Sequence, residues 1–399
     1  MLSFIPNYQT LGPRAGWKLQ SRKSLPFPLN YDRAQCYYLG RNAIYHGARA
    51  LGLGQGDEVL FPAYHSGTES APLLHLGCEL KFYNVDCQFD VDLDEIESLI
   101  TPRTRAIYMI HFHGFCGPIE ELRRLADRHG LPLIEDVALS MLAEVDGRPL
   151  GTWGDVSVFC TYKNLPVANG GILAINRDDI PLPAAPRHVP LYSELNLTSK
   201  NVLKYIDLHG GPVGRALRQM VKGASSRAVR RSGLKLTNPD ALEFDPSKVD
   251  WTMGPLTRQL MRWLDYDSIV RRRRAHYEYL VAQLEGTGVV VTHPHLPAGA
   301  VPLFLPIVVE DKFGVVGRLR ERQMEAIAVW GIHHPHLPRG QFPDTEYLVD
   351  HLIEIPVIQD LSRRHLDRIV GDLVELATWT GTEPPRTEGR QRASEAVLI

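Results

Sequence analysis

The stretch VFCTYKNLPVANGG, Val158 to Gly171, carries an apolar run as far as Cys160, then Lys163, then a glycine pair. Lysine is among the residues least often buried. Placed where a hydrophobic strand runs out, flanked by Phe159, Tyr162 and Leu165, it is partly withdrawn from water, a setting in which a lysine amine can form a Schiff base with an aldehyde. A second apolar run, LPLIEDVALS, is closed by the carboxylate of Asp136, and a buried carboxylate needs a cationic partner. The stretch YYLGRNAIYHGARALGLG opens a helix with Gly40, Arg41, Asn42 and Ala43. Glycine lets a ligand approach the backbone there, and the first amides of a helix bind phosphate. Finally, VLFPAYHSGTES ends a strand with Tyr64 and His65, flat side chains able to stack on a heterocycle. Read singly, each has an ordinary alternative: a surface lysine, a loop-capping aspartate, any helix start, a structural histidine.

Their order along the chain narrows the choice. It runs phosphate turn, aromatic pair, strand-end aspartate, strand-end lysine with Gly-Gly. The group that answers to all four is pyridoxal phosphate (PLP): an aldehyde for the lysine, a phosphate for the helix start, and a ring nitrogen whose protonated form pairs with an aspartate and becomes an electron sink.

The elements needed to hold these residues are legible as alternation. Candidate strands are 58–64, 79–85, 104–112, 131–137, 155–160 and 170–176; candidate helices are 42–51, 93–100 and 118–129. In the last, Ile119, Leu122 and Leu125 recur at helical spacing. Strands alternating with helices predict an α/β fold with a mostly parallel sheet covered on both faces, and ligands of such sheets gather outside the carboxyl ends of the strands. Residues 1–34 read as an N-terminal arm, 35–244 as the large domain, 245–380 as a smaller α/β domain and 381–399 as a disordered tail. Within the large domain, 181–244 is a basic insertion: between Arg187 and Lys235 it has ten Lys or Arg against two acids, Glu194 and Asp207. There Arg215, Arg218 and Lys222 recur at helical spacing with Leu217, Met220 and Val221 interleaved, predicting a cationic face beside an apolar one.

The 399 residues suffice for a large domain with a sizeable core plus a smaller one. A formal net charge of −2 gives no reason to expect a nucleic-acid partner. Five cysteines without a CxxC or a regular frame favour reduced thiols in the cytoplasm. The N-terminal residues show no apolar core of signal-peptide length, and no run approaches the roughly 20 apolar residues of a membrane span.

The central blocks GRNAIYHGARALGLGQGDEVLFPAYHSGTE, DLDEIESLITPRTRAIYMIHFHGFCGPIEELRRLADRHGLPLIEDVA and DGRPLGTWGDVSVFCTYKNLPVANGG resemble the DegT/StrS family of PLP-dependent sugar aminotransferases, of the aspartate aminotransferase fold type. Weaker echoes are VDWTMGPLTRQLMRWLD and IPVIQDLSRRHLDRIV. The resemblance spans roughly 35–180 and 245–375. It implies a homodimer with active sites at the interface, Lys163 as the residue bonded to the cofactor, Asp136 on its ring nitrogen, a ring stacker at His65 or Tyr64, and phosphate held by the amides of Arg41 and Asn42 after Gly40. Relatives that dehydrate sugars carry histidine in place of the lysine, so Lys163 points to transamination. Three positions depart from the family pattern: Leu139 stands for a Gln or His near the cofactor's phenolic oxygen, Cys160, with Thr161 adjacent, for a phosphate-binding Ser, and Asp250 for an Asn reaching the partner's phosphate.

The function this implies is transfer of an amino group from an amino acid, with glutamate the expected donor, to a keto-sugar or nucleotide-linked sugar. Two alternatives stay open: a PLP enzyme of the same fold performing elimination, substitution or condensation on an amino acid, and a cofactor-retaining regulatory or scaffold protein. The basic insertion adds a peripheral membrane contact as a further expectation.

Overall fold

A computed structural model of the chain describes residues 4–12, 18, 21–186, 191–232, 244–330 and 334–381; within the long helix ending at 232, the side chains of 191–193, 212 and 221–232 fall outside that description. The expected tail, except residue 381, and part of the basic insertion therefore lie outside the described residues.

The first half of the chain builds a seven-stranded sheet. Its elements are β1 (Ala34–Tyr37), α1 (Gly40–Ala50), β2 (Glu58–Pro62), α2 (Ser70–His75), β3 (Glu79–Tyr83), α3 (Leu93–Ser98), β4 (Thr104–Ile110), α4 (Ile119–His129), β5 (Leu133–Asp136), the small hairpin β6 (Glu144–Val145) and β7 (Arg148–Pro149), β8 (Val156–Cys160), α5 (Thr161–Asn164) and β9 (Gly171–Ile175). The strand order is β1-β9-β8-β5-β4-β2-β3, with β8 through β3 parallel and β9 and β1 added antiparallel at one edge. Strands β2, β5, β8 and β9 are buried along their whole length, as a parallel sheet covered by helices on both faces requires. Helix α4 shows how the covering works: its apolar positions Ile119, Leu122, Leu125 and Ala126 all turn inward. The six expected strands are all present, and the chain adds β1, whose short AQCY run carries no alternation.

The remaining elements are α6 (Leu191–Ser232), α7 (Pro255–Met261), α8 (Tyr266–Leu284), β10 (Val290–Val291), β11 (Phe304–Val308), α9 (Lys312–Glu321), β12 (Ile327–Ala328), α10 (Pro343–His351), β13 (Leu352–Pro356) and α11 (Arg363–Leu376). A four-stranded antiparallel sheet, β10-β11-β13-β12, packs with α8, α9 and α11 around Leu280, Leu305, Leu319, Ile353 and Ile369. The N-terminal arm ties the two parts together. Ile5 exchanges main-chain hydrogen bonds with Gln323 and Glu325, Thr10 Oγ1 donates to Asp360 Oδ2 at 2.5 Å, and the Leu11 amide donates to the Asn201 carbonyl.

The basic insertion corrects one expectation. Helix α6 is kinked at Gly211, and Arg218 turns inward across the kink to pair with buried Asp207 at 2.7 Å, its guanidinium over the Phe4 ring. Arg215 lies in the same field, pulling the Asp207 carboxyl down against its burial. The other acid, Glu194, is also buried and accepts the Leu256 and Thr257 amides at the start of α7. Arg215 and Arg218 therefore serve an internal carboxylate instead of forming an outward cationic face; the Lys222 side chain lies outside the described residues. What faces outward is apolar: Val213 is 79% exposed and Met220 72%, with Leu217 between them.

Candidate active site

Strand register sets the site. Asp136 is the last residue of β5, opposite Ile110 of β4 on one side and Val158 of β8 on the other. Lys163 sits one turn beyond the end of β8, in α5. The two are thus delivered to the carboxyl edge of neighbouring parallel strands. Both line a cavity of about 460 Å³ bounded by Gly40 and Arg41 of α1, Ser66, Thr68 and Glu69 of the loop after β2, Leu139, Cys160, and, from the arm and the second sheet, Tyr8, Phe313, Ala328 and Trp330. That volume suits a cofactor-sized ligand.

The glycine pair is explained by this convergence. A side chain at Gly171 would meet the Leu39 carbonyl at 2.1 Å, and one at Gly170, where φ is +133°, would strike the Thr161 hydroxyl. Without side chains there, β9 lets the start of α1 lie directly against the end of β8, placing Gly40 beside Cys160.

Asp136 is 4% exposed. Burial pushes its carboxyl up to about 6, against the pull of a hydrogen bond from the Tyr108 hydroxyl to Oδ2 (2.6 Å), one from the Ala138 amide to Oδ1 (2.9 Å) and the nearby Lys163 charge; Glu69 adds to the upward push. Tyr108 is itself held by packing and lies wholly inside β4. The Lys163 amine makes no hydrogen bond or ion pair with a described residue, and it faces the cavity. Glu69 is buried as well. Burial raises its carboxyl, but the His65 ring together with the Ser66 hydroxyl and amide outweigh this and hold it below the ordinary carboxylate value.

Of the residues singled out in the sequence, the cavity gathers Gly40, Arg41, Asp136, Cys160 and Lys163; Leu139 is there too. It does not gather Tyr64 or His65. Tyr64 packs into the core against Phe89, Phe112 and Trp330. His65 lies flat on Phe82, with Nδ1 3.0 Å from the Ala63 carbonyl. The wall expected of them is made by the next residues of that loop, Ser66, Thr68 and Glu69. The Asn42 amide is turned to the Leu39 carbonyl (3.1 Å) and its side chain to the Lys248 and Val249 carbonyls. Thr161 spends its hydroxyl on the Asn169 and Gly170 carbonyls. Asp250 pairs with His46 at 3.2 Å, its side chain 60% exposed, and is absent from the cavity wall. Sequence reasoning missed Tyr8, Tyr108, Phe313 and Trp330. Tyr108 alone left a signal, a phenol inside an otherwise apolar strand, since a buried tyrosine hydroxyl usually has a partner.

Pyridoxal phosphate fits these residues. The buried, upward-shifted Asp136 carboxylate is the anion that a protonated ring nitrogen would satisfy, and Lys163 offers an unengaged amine one strand away. Gly40 and Arg41 supply a helix start for the phosphate.

A large, mostly parallel sheet with lysine and aspartate at adjacent strand ends, joined to a smaller antiparallel sheet, is an α/β fold with the kind of site a PLP-dependent transferase needs. Residues 40–183 match the DegT/DnrJ/EryC1/StrS aminotransferase family model. A UDP-N-acetyl-3-dehydro-alpha-D-glucosamine 3-aminotransferase of Acidithiobacillus ferrooxidans is 34% identical over 35% of this chain, a match that spans 38% of the relative's own length. The erythromycin biosynthesis sensory transduction protein EryC1 of Saccharopolyspora erythraea is 26% identical over 90% of this chain and 91% of its own. Among solved structures, the aminotransferase TlmJ of Streptoalloteichus hindustanus superposes with a TM-score of 0.64 at 19% identity, covering 94% of this chain and 98% of its own. PseC of Helicobacter pylori, an aminotransferase involved in the biosynthesis of pseudoaminic acid, superposes with a TM-score of 0.65 at 15% identity, covering 94% and 99%. Likenesses at these identities speak to the fold.

Proposed function

We propose that the protein is a PLP-dependent aminotransferase that moves an amino group from an amino-acid donor, glutamate, to a keto-sugar or related carbonyl intermediate of a biosynthetic pathway. The observation that carries this reading is the pair of Asp136 and Lys163 facing one cavity from neighbouring strand ends. Bound there, PLP would supply an aldehyde and an electron sink. Asp136 would stay ionised against the ring nitrogen, with Tyr108 holding its orientation. Lys163 would hold the aldehyde and, once displaced by an incoming amine, carry the proton on Nζ as general acid and base. The turn of α5 keeps that amine on a short tether over the cavity. Tyr8, Phe313 and Trp330 would exclude water from the mouth.

For assembly we propose a cytoplasmic homodimer. The Phe313 ring, 65% exposed although it lines the cavity wall, supports a second copy completing the site. Among the described residues no helix is long and apolar enough to cross a membrane. The outward apolar face of α6, in a helix whose residues 219–232 carry four further Lys or Arg and no acid, supports a peripheral contact with an acidic bilayer.

The test is absorbance of the purified protein with and without glutamate, together with borohydride trapping. Wild-type protein should be yellow, lose that colour on adding glutamate, and release a stoichiometric keto acid. Lys163→Ala should trap no cofactor. Trapping at another lysine, or no keto acid from any amino acid, would refute the proposal.

A further inference from the structure

The fully buried Arg273 of α8 reaches the lysine-bearing turn. Its Nη2 donates to the main-chain carbonyl of Asn164, the residue after Lys163 and the last of α5. Asn164 is buried too, and its side chain is a knot. Nδ2 donates to the Cys160 carbonyl at 3.0 Å and to the Ala138 carbonyl at 2.8 Å, while Oδ1 accepts the Met141 amide at 3.4 Å. Ala138 in turn donates its amide to the Asp136 carboxylate at 2.9 Å. One unbroken chain therefore runs from α8 through the lysine turn to the aspartate: Arg273, Asn164, Ala138, Asp136. Two of its links join segments far apart in sequence, α8 to α5 at a separation of 109 residues and α5 to the turn after β5 at 26.

Arg273 is a costly way to fill this position. Its Nε and Nη1 find no partner among the described residues, burial pulls its pKa down to about 9, and Asp360 is the acid whose field offsets this. An apolar residue would seal the core without leaving donors unsatisfied. What an apolar residue could not do is grip a carbonyl at the C-terminal end of α5, where helical carbonyls lack partners and a cation is favoured.

Resting on the function proposed above, we infer that Arg273 and Asn164 are positioning residues that fix Lys163 relative to Asp136. Neither touches the cavity. They act by holding the main chain on both sides of the gap that a bound ring must span. A lysine turn released from this chain keeps its amine and its access to cofactor but loses the fixed angle from which the amine reaches a reacting carbon.

The experiment uses full-length holoprotein carrying Arg273→Met, Arg273→Lys, Asn164→Ala, or Met and Ala together. Four quantities are read: the rate of borohydride trapping on Lys163 at saturating PLP, the dissociation constant of PLP, the glutamate kcat and KM, and the melting temperature of the cofactor-free protein. R273M and N164A should each slow trapping and kcat by about tenfold or more, with the PLP dissociation constant and glutamate KM changed less than about threefold. R273K should recover part of the loss. The double variant should be no worse than the poorer single, because both break one chain. Losses that multiply in the double variant, that follow the melting temperature, or that reside in PLP affinity would overturn the inference and leave the pair a structural one. If R273M yields no soluble protein, N164A decides by the same readings. Trapping needs no substrate, so it reports on positioning even if wild type fails to turn over glutamate, the result that would refute the functional proposal instead.

Discussion

Tyr108 places its hydroxyl 2.6 Å from Asp136 Oδ2, with both residues at or near zero exposure. A hydrogen bond to an ionised acceptor is worth about 1.5–3 kcal/mol, so it favours the carboxylate that burial opposes. Tyr108→Phe removes the donor and leaves the packing. We expect the acid limb of the kcat/KM profile to move up by about one pH unit or more. An unmoved limb would show that the bound cofactor alone holds Asp136 ionised.

The same burial makes the cofactor-free protein pH-sensitive. Folding raises the Asp136 value from 3.8 to about 6, so the folded state holds the proton more tightly than the unfolded chain. Stability is therefore fully present below about 4 and declines as pH rises through about 6. The two-unit shift corresponds to about 3 kcal/mol at most. In urea unfolding of cofactor-free protein, Asp136→Asn should gain on wild type by up to that amount between pH 4.5 and 7, while losing most turnover once PLP is bound. Parallel pH curves for the two proteins would contradict it.

Cys160 lines the cavity beside Gly40, and burial raises its thiol, so it stays neutral. A neutral thiol is a weak donor to a phosphate. Cys160→Ser should lower the PLP dissociation constant by about threefold or more at unchanged glutamate KM, read by equilibrium dialysis. Equal affinity in the two proteins would place the phosphate elsewhere.

On α6, the exposed Val213, Leu217 and Met220 recur at i, i+4 and i+7. Replacing all three with Ser should abolish flotation with acidic phosphatidylserine vesicles without altering the glutamate half-reaction. If wild-type protein fails to float, or if the triple variant instead shifts the oligomeric state in sedimentation, the face serves a second copy.

Asp136 and Lys163 were legible because each interrupts an apolar run, and in parallel sheets such interruptions fall at the ligand-binding edge. Tyr64 and His65 misled for a related reason. Aromatic type says that a ring will pack, and only the turn after β2 decides whether it packs on ligand or on Phe82 and Phe112. Tyr8 and Trp330 were invisible because the cavity recruits them from 155 and 167 residues away from Lys163. Arg273 was hidden inside a run of four arginines, 271–274, yet it alone shares the spacing of Ile269, Tyr277 and Leu280, the buried side of α8. Read with that helical period, the run would have pointed to it.

The N-terminal arm has a consequence for synthesis. Tyr8 walls the cavity, and Thr10 is anchored to Asp360, 350 residues later. The segment around Thr10 must therefore wait for the segment around Asp360, made 350 residues later, before it can settle. The large sheet can form earlier, with Lys163 and Asp136 already at its edge, but it does so unroofed. Closure of the pocket thus follows synthesis of residue 360, and a nascent chain stalled before that point would present the lysine to any passing aldehyde.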